Sequence, residues 1–334
     1  MKKILNNPKE FVKDTLNGIY SAHPQDLTFV NNDIHCLVKR NLIDNKVGIV
    51  TGGGSGHLPL FLGYVGDGLL DGCAIGDVFQ SPSSEQILEI TKEVDKGKGV
   101  LYIYGNYTGD IMNFEMASEL ADFDDIKTAH FVVGDDVASS KKGEEHKRRG
   151  VAGIFFVYKC AGAKANKFAS LDEVKRIAKK TAESTRTMGF ALSPCIIPEV
   201  GEPSFTIEPN EMEIGMGIHG EPGINRTQIM SAKELASTLL NKIFDDYSYK
   251  KDDEVCVLVN GLGATPKEEL YILFNEIHQY LKKRGIKIFN TYVGEFATSM
   301  EMAGGSISIL KLDDELKELM RQPCYTPFFT QKEL

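Results

Sequence analysis

Short apolar runs alternate along this chain with stretches of helical periodicity. The runs at 47–51, 73–75, 100–104 and 130–133 are rich in β-branched and aromatic residues and predict strands. Three more follow a long helical region, at 255–260, 286–292 and 307–310. Leu171, Val174, Ile177 and Ala178 fall on one helical face and predict a helix over 171–188. Ser170 is placed to cap it, and Gly189 lies just past its end. A second helix is predicted to start at Ser231, and TPKE at 265–268 reads as a capping box with Thr265 as cap, Pro266 first in the helix and Glu268 third.

Alternation of this kind implies α/β layers, and continuous apolar strands imply a sheet covered on both faces. A length of 334 residues suggests two domains at roughly 150 residues each. The prolines and glycine of SPCIIPEVGEP, after the long helix, place a boundary within 184–194, dividing the chain into 1–186 and 187–334. The fold class expected is therefore two α/β domains with mostly parallel or mixed sheets.

Composition narrows the function. The net charge of −9 argues against a free-standing binder of nucleic acid or anionic membranes; a role on DNA would need a partner that supplies the basic surface. The six cysteines are scattered with no C-x-x-C pair, which reads as reduced cytosolic thiols rather than a disulfide frame or a zinc site. MKKILNNPKEF has two lysines but no apolar segment behind them, so no signal peptide is expected. No apolar run approaches the ~18 residues of a spanning helix. A cytoplasmic location is expected.

Three segments carry candidate chemistry. In TGGGSGHLPLF (51–61), Gly52, Gly53, Gly54 and Gly56 permit close backbone approach, and N–H groups there could hold hydroxyl or phosphate oxygens. The run is neither a Walker loop, since no Gly-Lys-Ser/Thr closes it, nor a G-x-G-x-x-G fingerprint. A tight strand-to-helix turn explains it equally well. In NYTGDIMNFE (106–115), Asp110 sits near a helix start at the ligand edge of the sheet, or is simply a first-turn aspartate. In MGIHGEPG (216–223), His219 lies between Gly217 and Gly220 on what reads as an exposed, sharply turning segment. KKGEEHKRRG (141–150) reads as a solvated loop, with a contact surface as the alternative. His57, Asp110 and His219 lie 53 and 109 positions apart, which gives no spacing evidence for a metal site. No metal and no cofactor are expected.

Seven motifs then coincide in order: GGGSGH (52–57), GYVGDGLLDG (63–72), VFQSPS (78–83), NYTGDIMNFEMA (106–117), RRGVAG (148–153), EIGMGIHGEPG (213–223) and NGLGATP (260–266). Together they resemble the dihydroxyacetone-binding subunit of the phosphotransferase-system-dependent dihydroxyacetone kinases, over nearly the whole chain. That resemblance implies a homodimer of two α/β domains. It implies that dihydroxyacetone is held covalently, through Nε2 of His219 as a hemiaminal. Backbone groups of Gly54, Ser55 and Gly56 would hold hydroxyl oxygens, with His57 and Asp110 bonded to the terminal hydroxyls. In a kinase His57, Asp110 and His219 would be the catalytic residues, and an ADP-bearing kinase subunit the partner.

The chain departs from that pattern. The family's GHEP, small residue, His is replaced by His57-Leu58-Pro59-Leu60-Phe61, and Gly105 stands where a lysine usually precedes NYTGD. The segment before RRGVAG is lysine-rich, and the C-terminus reads CYTPFF. Leu58, Leu60 and Phe61, if exposed, would form a patch for another protein partner. These changes resemble the family's non-kinase co-activator, which senses dihydroxyacetone and pairs with a TetR-like DNA-binding regulator. The expectation is that co-activator, with the kinase subunit as the alternative.

Overall fold

The computed structural model describes residues 2–334, which pack as two compact units of discontinuous chain. Unit 1 takes residues 2–133, Phe156–Thr181 and Leu316–Leu334, and unit 2 takes Gly134–Phe155 and Ala182–Glu315. This grouping and a single division after residue 186 are different partitions. The chain passes between the units four times, after Val133 and inside α4 (Ile154–Asn166), α5 (Leu171–Glu183) and α8 (Asp314–Arg321); no Pro/Gly punctuation marks the three crossings inside helices.

Unit 1 opens with α1 (Phe11–Ala22), β1 (Leu27–Val30), β2 (Asp33–Lys39), β3 (Gly48–Ser55) and β4 (Gly72–Val78). It continues through α2 (Ser84–Val94), β5 (Val100–Gly105), α3 (Thr108–Asp122) and β6 (Thr128–Val133). Its sheet runs β1-β2-β4-β3-β5-β6, with β4, β3, β5 and β6 parallel and β1 and β2 added antiparallel. Ser83 caps α2 in a reciprocal box with Gln86. The inward faces of α2 and α3 bury Ile87, Ile90, Val94, Phe114 and Ala117 against Val50, Tyr102 and Tyr104 of the sheet. Phe114 stacks flat on Tyr104 at 4.2 Å, which fixes α3 over the end of β5. The last residues close this unit as β13 (Cys324–Tyr325) and β14 (Thr330–Gln331). The Tyr325 N–H donates to the Asp67 carbonyl and the Thr326 hydroxyl to the Gly63 carbonyl.

Unit 2 contains β7 (Thr185–Ala191), β8 (Glu211–Ile214), β9 (Asn225–Gln228), α6 (Ala232–Asp246), β10 (Glu254–Gly261), α7 (Lys267–Lys283), β11 (Lys287–Gly294) and β12 (Gly304–Leu312). Its sheet order is β11-β10-β12-β7-β8-β9, and only β10 and β11 run parallel. Both sheets are thus mixed, in an α/β fold, as expected. Leu239 and Ile243 of α6 and Leu273 and Ile277 of α7 fill a core with Met188, Val257 and Ile307. No helix among the described residues is long and apolar enough to cross a membrane.

Two local expectations fail. The helix predicted over 171–188 stops at Glu183. The Thr-rich stretch that follows enters the sheet as β7, where Met188 pairs with Ile307 and the Gly189 carbonyl accepts from Gly215. Ser170 does cap α5, through its hydroxyl and the Glu173 N–H. At α7, Pro266 occupies the cap position and no box forms. Thr265 Oγ1 is drawn instead to Gly304, donating to its carbonyl at 2.7 Å and accepting its N–H at 2.8 Å. The start predicted at Ser231 is present as a capping box with Glu234.

Candidate functional site

In unit 1 the glycine run is not a loop. Gly52, Gly53, Gly54 and Ser55 are the last residues of β3, in register with β4 as far as Gly54 opposite Gly76 and Ser55 opposite Val78. The turn begins at Gly56, whose φ of 102° favours glycine, and only a short 3₁₀ turn at Leu62–Tyr64 follows. The glycines are bare because the chain is crowded there. A Cβ on Gly53 would lie 2.3 Å from the Phe61 ring, and one on Gly54 2.6 Å from the Gln80 nitrogen. Ser55 turns its hydroxyl back to the Gly76 carbonyl at 2.8 Å.

His57 follows, 1% exposed, with its ring stacked on Phe79 at 4.8 Å and edge-on to Phe61 at 6.0 Å. Both phenylalanines hold left-handed backbone, φ 68° at Phe61 and 58° at Phe79. That conformation costs energy for a bulky residue and persists only where surrounding packing enforces it. Leu60 and Phe61 are 2% and 5% exposed. The expected partner patch at Leu58, Leu60 and Phe61 is therefore corrected: Leu60 and Phe61 are core residues, Leu58 is half-buried, and the loop folds its apolar side chains inward.

Asp110 is the third residue of α3 and is buried, 4% exposed. The helix N-terminus favours its charge. Burial pushes the Cys73 thiol well up, and the nearby Asp110 carboxylate pushes it the same way. The positions bearing His57 and Asp110 thus follow β3 and β5, neighbouring parallel strands, at their carboxyl ends, the ligand edge of an open α/β sheet.

In unit 2, His219 lies on the connection between β8 and β9. The Gly217 N–H donates to the Glu221 carbonyl and the Gly220 N–H to the Gly217 carbonyl, closing a tight turn with Gly220 at φ 82°. The His219 side chain is 23% exposed, so the segment is half-buried rather than open. Glu221 grips the histidine twice: Oε2 accepts the His219 backbone N–H at 2.9 Å, and Oε1 meets Nδ1 at 2.9 Å. Burial pushes the Glu221 carboxyl up, but the hydrogen bond and charge of His219, with Arg149 behind, outweigh it and hold the group at about 2. An ionised carboxylate only accepts, so Nδ1 carries the ring proton and the basic lone pair of the neutral imidazole belongs to Nε2.

Gly217 leaves room for both side-chain ends, since a Cβ there would fall 2.1 Å from Glu221 Oε2 and 2.6 Å from Arg149 Nη1. Arg149 lies 3.9 Å from Glu221 and is itself held by Asp136 through Nε at 2.9 Å and Nη2 at 2.8 Å. The reading of 141–150 as a solvated loop holds only through Lys147. Arg148 is buried on Asp246, and Arg149 turns inward to Asp136. Sequence reasoning passed over Glu221, Arg149 and Asp136. The first two stood in quoted motifs, EIGMGIHGEPG and RRGVAG; Asp136 carried no signal. No group of three or more His, Cys, Asp or Glu placed to hold a metal ion occurs among the described residues.

The Dak1 domain model matches residues 17–328. The dihydroxyacetone-binding subunit DhaK of PTS-dependent dihydroxyacetone kinase 1 from Listeria innocua is 47% identical, over 94% of this chain and 95% of that protein. D-erythrulose kinase of Mycolicibacterium smegmatis is 39% identical over 98% of this chain, which spans 56% of that longer protein. Among solved structures, the dihydroxyacetone kinase operon co-activator Dha-DhaQ superposes with a TM-score of 0.87 at 31% identity, over 96% of this chain and 97% of that one.

Proposed function

The chain belongs to the Dak1 domain family, and on that premise we propose that it is a ketose-binding subunit that captures a short hydroxyketone on His219 and presents it to a protein partner. The observation that carries this reading is the His219–Glu221 pair. Nε2 adds to the ketone carbon; the carbon–nitrogen bond forms as the carbonyl π bond breaks. The oxygen gains a proton and the ring gives up the one on Nδ1, so the hemiaminal forms with no net change of charge. Glu221 stabilises the positive charge that passes through the ring. Polyols have no carbonyl and are excluded by reactivity, a sharper discrimination than the ~1–3 kcal/mol of one methylene contact.

Gly54, Ser55 and Gly56, with His57 and Asp110, supply the contacts to the ketose hydroxyls in this proposal. Relatives named for dihydroxyacetone and for erythrulose support a three- or four-carbon substrate. The partner is an ADP-bearing kinase subunit, with His57 and Asp110 easing proton removal from the hydroxyl that accepts the phosphoryl group. A second reading, co-activation of a TetR-like regulator by a homodimer of this chain, is favoured by Gly105 in place of the expected lysine and by the likeness to Dha-DhaQ. The burial of Leu60 and Phe61 removes the patch that had argued for it.

Intact-protein mass spectrometry with dihydroxyacetone and with erythrulose tests the capture. The wild-type chain gains one ketose and His219→Ala gains none; an adduct retained by the variant refutes the assignment. Adding an ADP-bearing kinase subunit with its phosphoryl donor separates the readings. Phosphorylated ketose supports the kinase subunit, and its absence despite a normal adduct supports the co-activator.

A further inference from the structure

Behind the His219–Glu221 pair stands a second layer of charge. Asp136 is 2% exposed, and its Oδ1 accepts the Ala138 N–H while Oδ2 takes both Nε and Nη2 of Arg149. Arg149 Nη2 also donates to the Gly215 carbonyl at 3.0 Å, at the start of the turn that carries His219. The Arg149 backbone is fastened as well: its N–H donates to Ser139 Oγ, and its carbonyl accepts the Asp136 N–H. A planar guanidinium held on two sides has little freedom left, and it turns Nη1 towards Glu221 Oε2 at 3.9 Å across the bare face of Gly217.

We propose that Arg149, braced by Asp136, is a positioning residue that orients Glu221, and so fixes the His219 tautomer whose Nε2 captures the ketose. This rests on the capture reading above. Arg149 touches neither His219 nor, in this proposal, the ketose; it acts through the carboxylate. Its fixed charge beside Oε2 favours the ionised form, and its bond to the Gly215 carbonyl ties the same group to the backbone of the turn. A lysine supplies the charge but not the fork, so it cannot grip Asp136 and Gly215 together.

The test uses the full-length protein and its Arg149→Ala, Arg149→Lys and Asp136→Asn variants. Ring ¹⁵N NMR of histidine-labelled protein without ketose reads the His219 tautomer, assigned by loss of its signals in His219→Ala. Carbonyl-labelled dihydroxyacetone followed by ¹³C NMR reads the capture equilibrium. Arg149→Ala is expected to mix the tautomers and weaken capture about tenfold, with Arg149→Lys and Asp136→Asn intermediate. A folded Arg149→Ala protein with the wild-type ¹⁵N pattern and capture within about twofold overturns the proposal. If Arg149→Ala does not fold, a wild-type tautomer and wild-type capture in both other variants overturn it equally. Failure of the wild-type chain to form an adduct refutes the capture reading instead, and the ligand-free ¹⁵N spectra still decide whether Arg149 sets the tautomer.

Discussion

Replacing Glu221 by glutamine keeps the size of the side chain and removes its charge. In the wild-type protein both carboxylate oxygens accept, one from the His219 backbone N–H and one from Nδ1. An amide has one accepting oxygen and one donating nitrogen. If the oxygen takes the backbone N–H, the NH₂ faces Nδ1, which must then accept, and the ring proton moves to Nε2, the atom that has to attack. If the oxygen takes Nδ1–H instead, two donors confront each other at the His219 backbone. A charged hydrogen bond is worth ~1.5–3 kcal/mol. At 1.4 kcal/mol per decade, ketose capture by Glu221→Gln should weaken about 10- to 100-fold. The assay is a titration with carbonyl-labelled dihydroxyacetone, following loss of the ketone carbon signal, with circular dichroism to verify folding. A folded variant that captures the ketose within about twofold of wild type would refute the tautomer argument.

Gly217→Ala should weaken capture while leaving most of the fold intact, because the new methyl would displace the Glu221 carboxylate; capture equal to wild type would show that the turn can absorb it. Leu60→Ala and Phe61→Ala should each cost about 2–5 kcal/mol in urea unfolding, as core truncations do, whereas a change under about 0.5 kcal/mol would mean these side chains are not packed as described. Asp136 gives a pH signature. Burial pushes its carboxyl up to about 6 despite the opposing charge of Arg149, so the folded protein binds the proton more tightly than the unfolded chain. Stability from this group is therefore lost as pH rises from about 4 to about 6. The melting temperature of wild type relative to Asp136→Asn should fall across that window, and a flat difference would contradict the assignment.

Each sheet was legible in part because several strands declare themselves as apolar runs: β3, β5, β6 and β10 lie where those runs are, whereas β1, β2, β7, β8 and β9 were not read as strands. α4 was invisible for the opposite reason. Residues 154–163 are buried all round, so IFFVYKCAGA shows no alternation of polar and apolar faces to read. The 171–188 stretch misled because no Gly or Pro interrupts it before Gly189, while pairing with β12 claims the last residues for a strand. At the site, residue types and glycines pointed to the right segments, yet two features lay beyond sequence reasoning. Whether Leu60 and Phe61 face water depends on how the chain turns after Gly56. That Arg149 leans on Asp136 depends on residues 134–139 running beside β7, where the Val137 N–H donates to the Thr187 carbonyl.

The closing of unit 1 by Leu316–Leu334 has a consequence for how the molecule is made. Every residue of unit 2 leaves the ribosome before the segment that carries Tyr325 and Thr326 to their places beside Asp67 and Gly63. The half begun first is finished last, so the usual vectorial order of domain folding is inverted here. A nascent chain halted before residue 316 would hold a complete second unit and a first one still lacking its final strands.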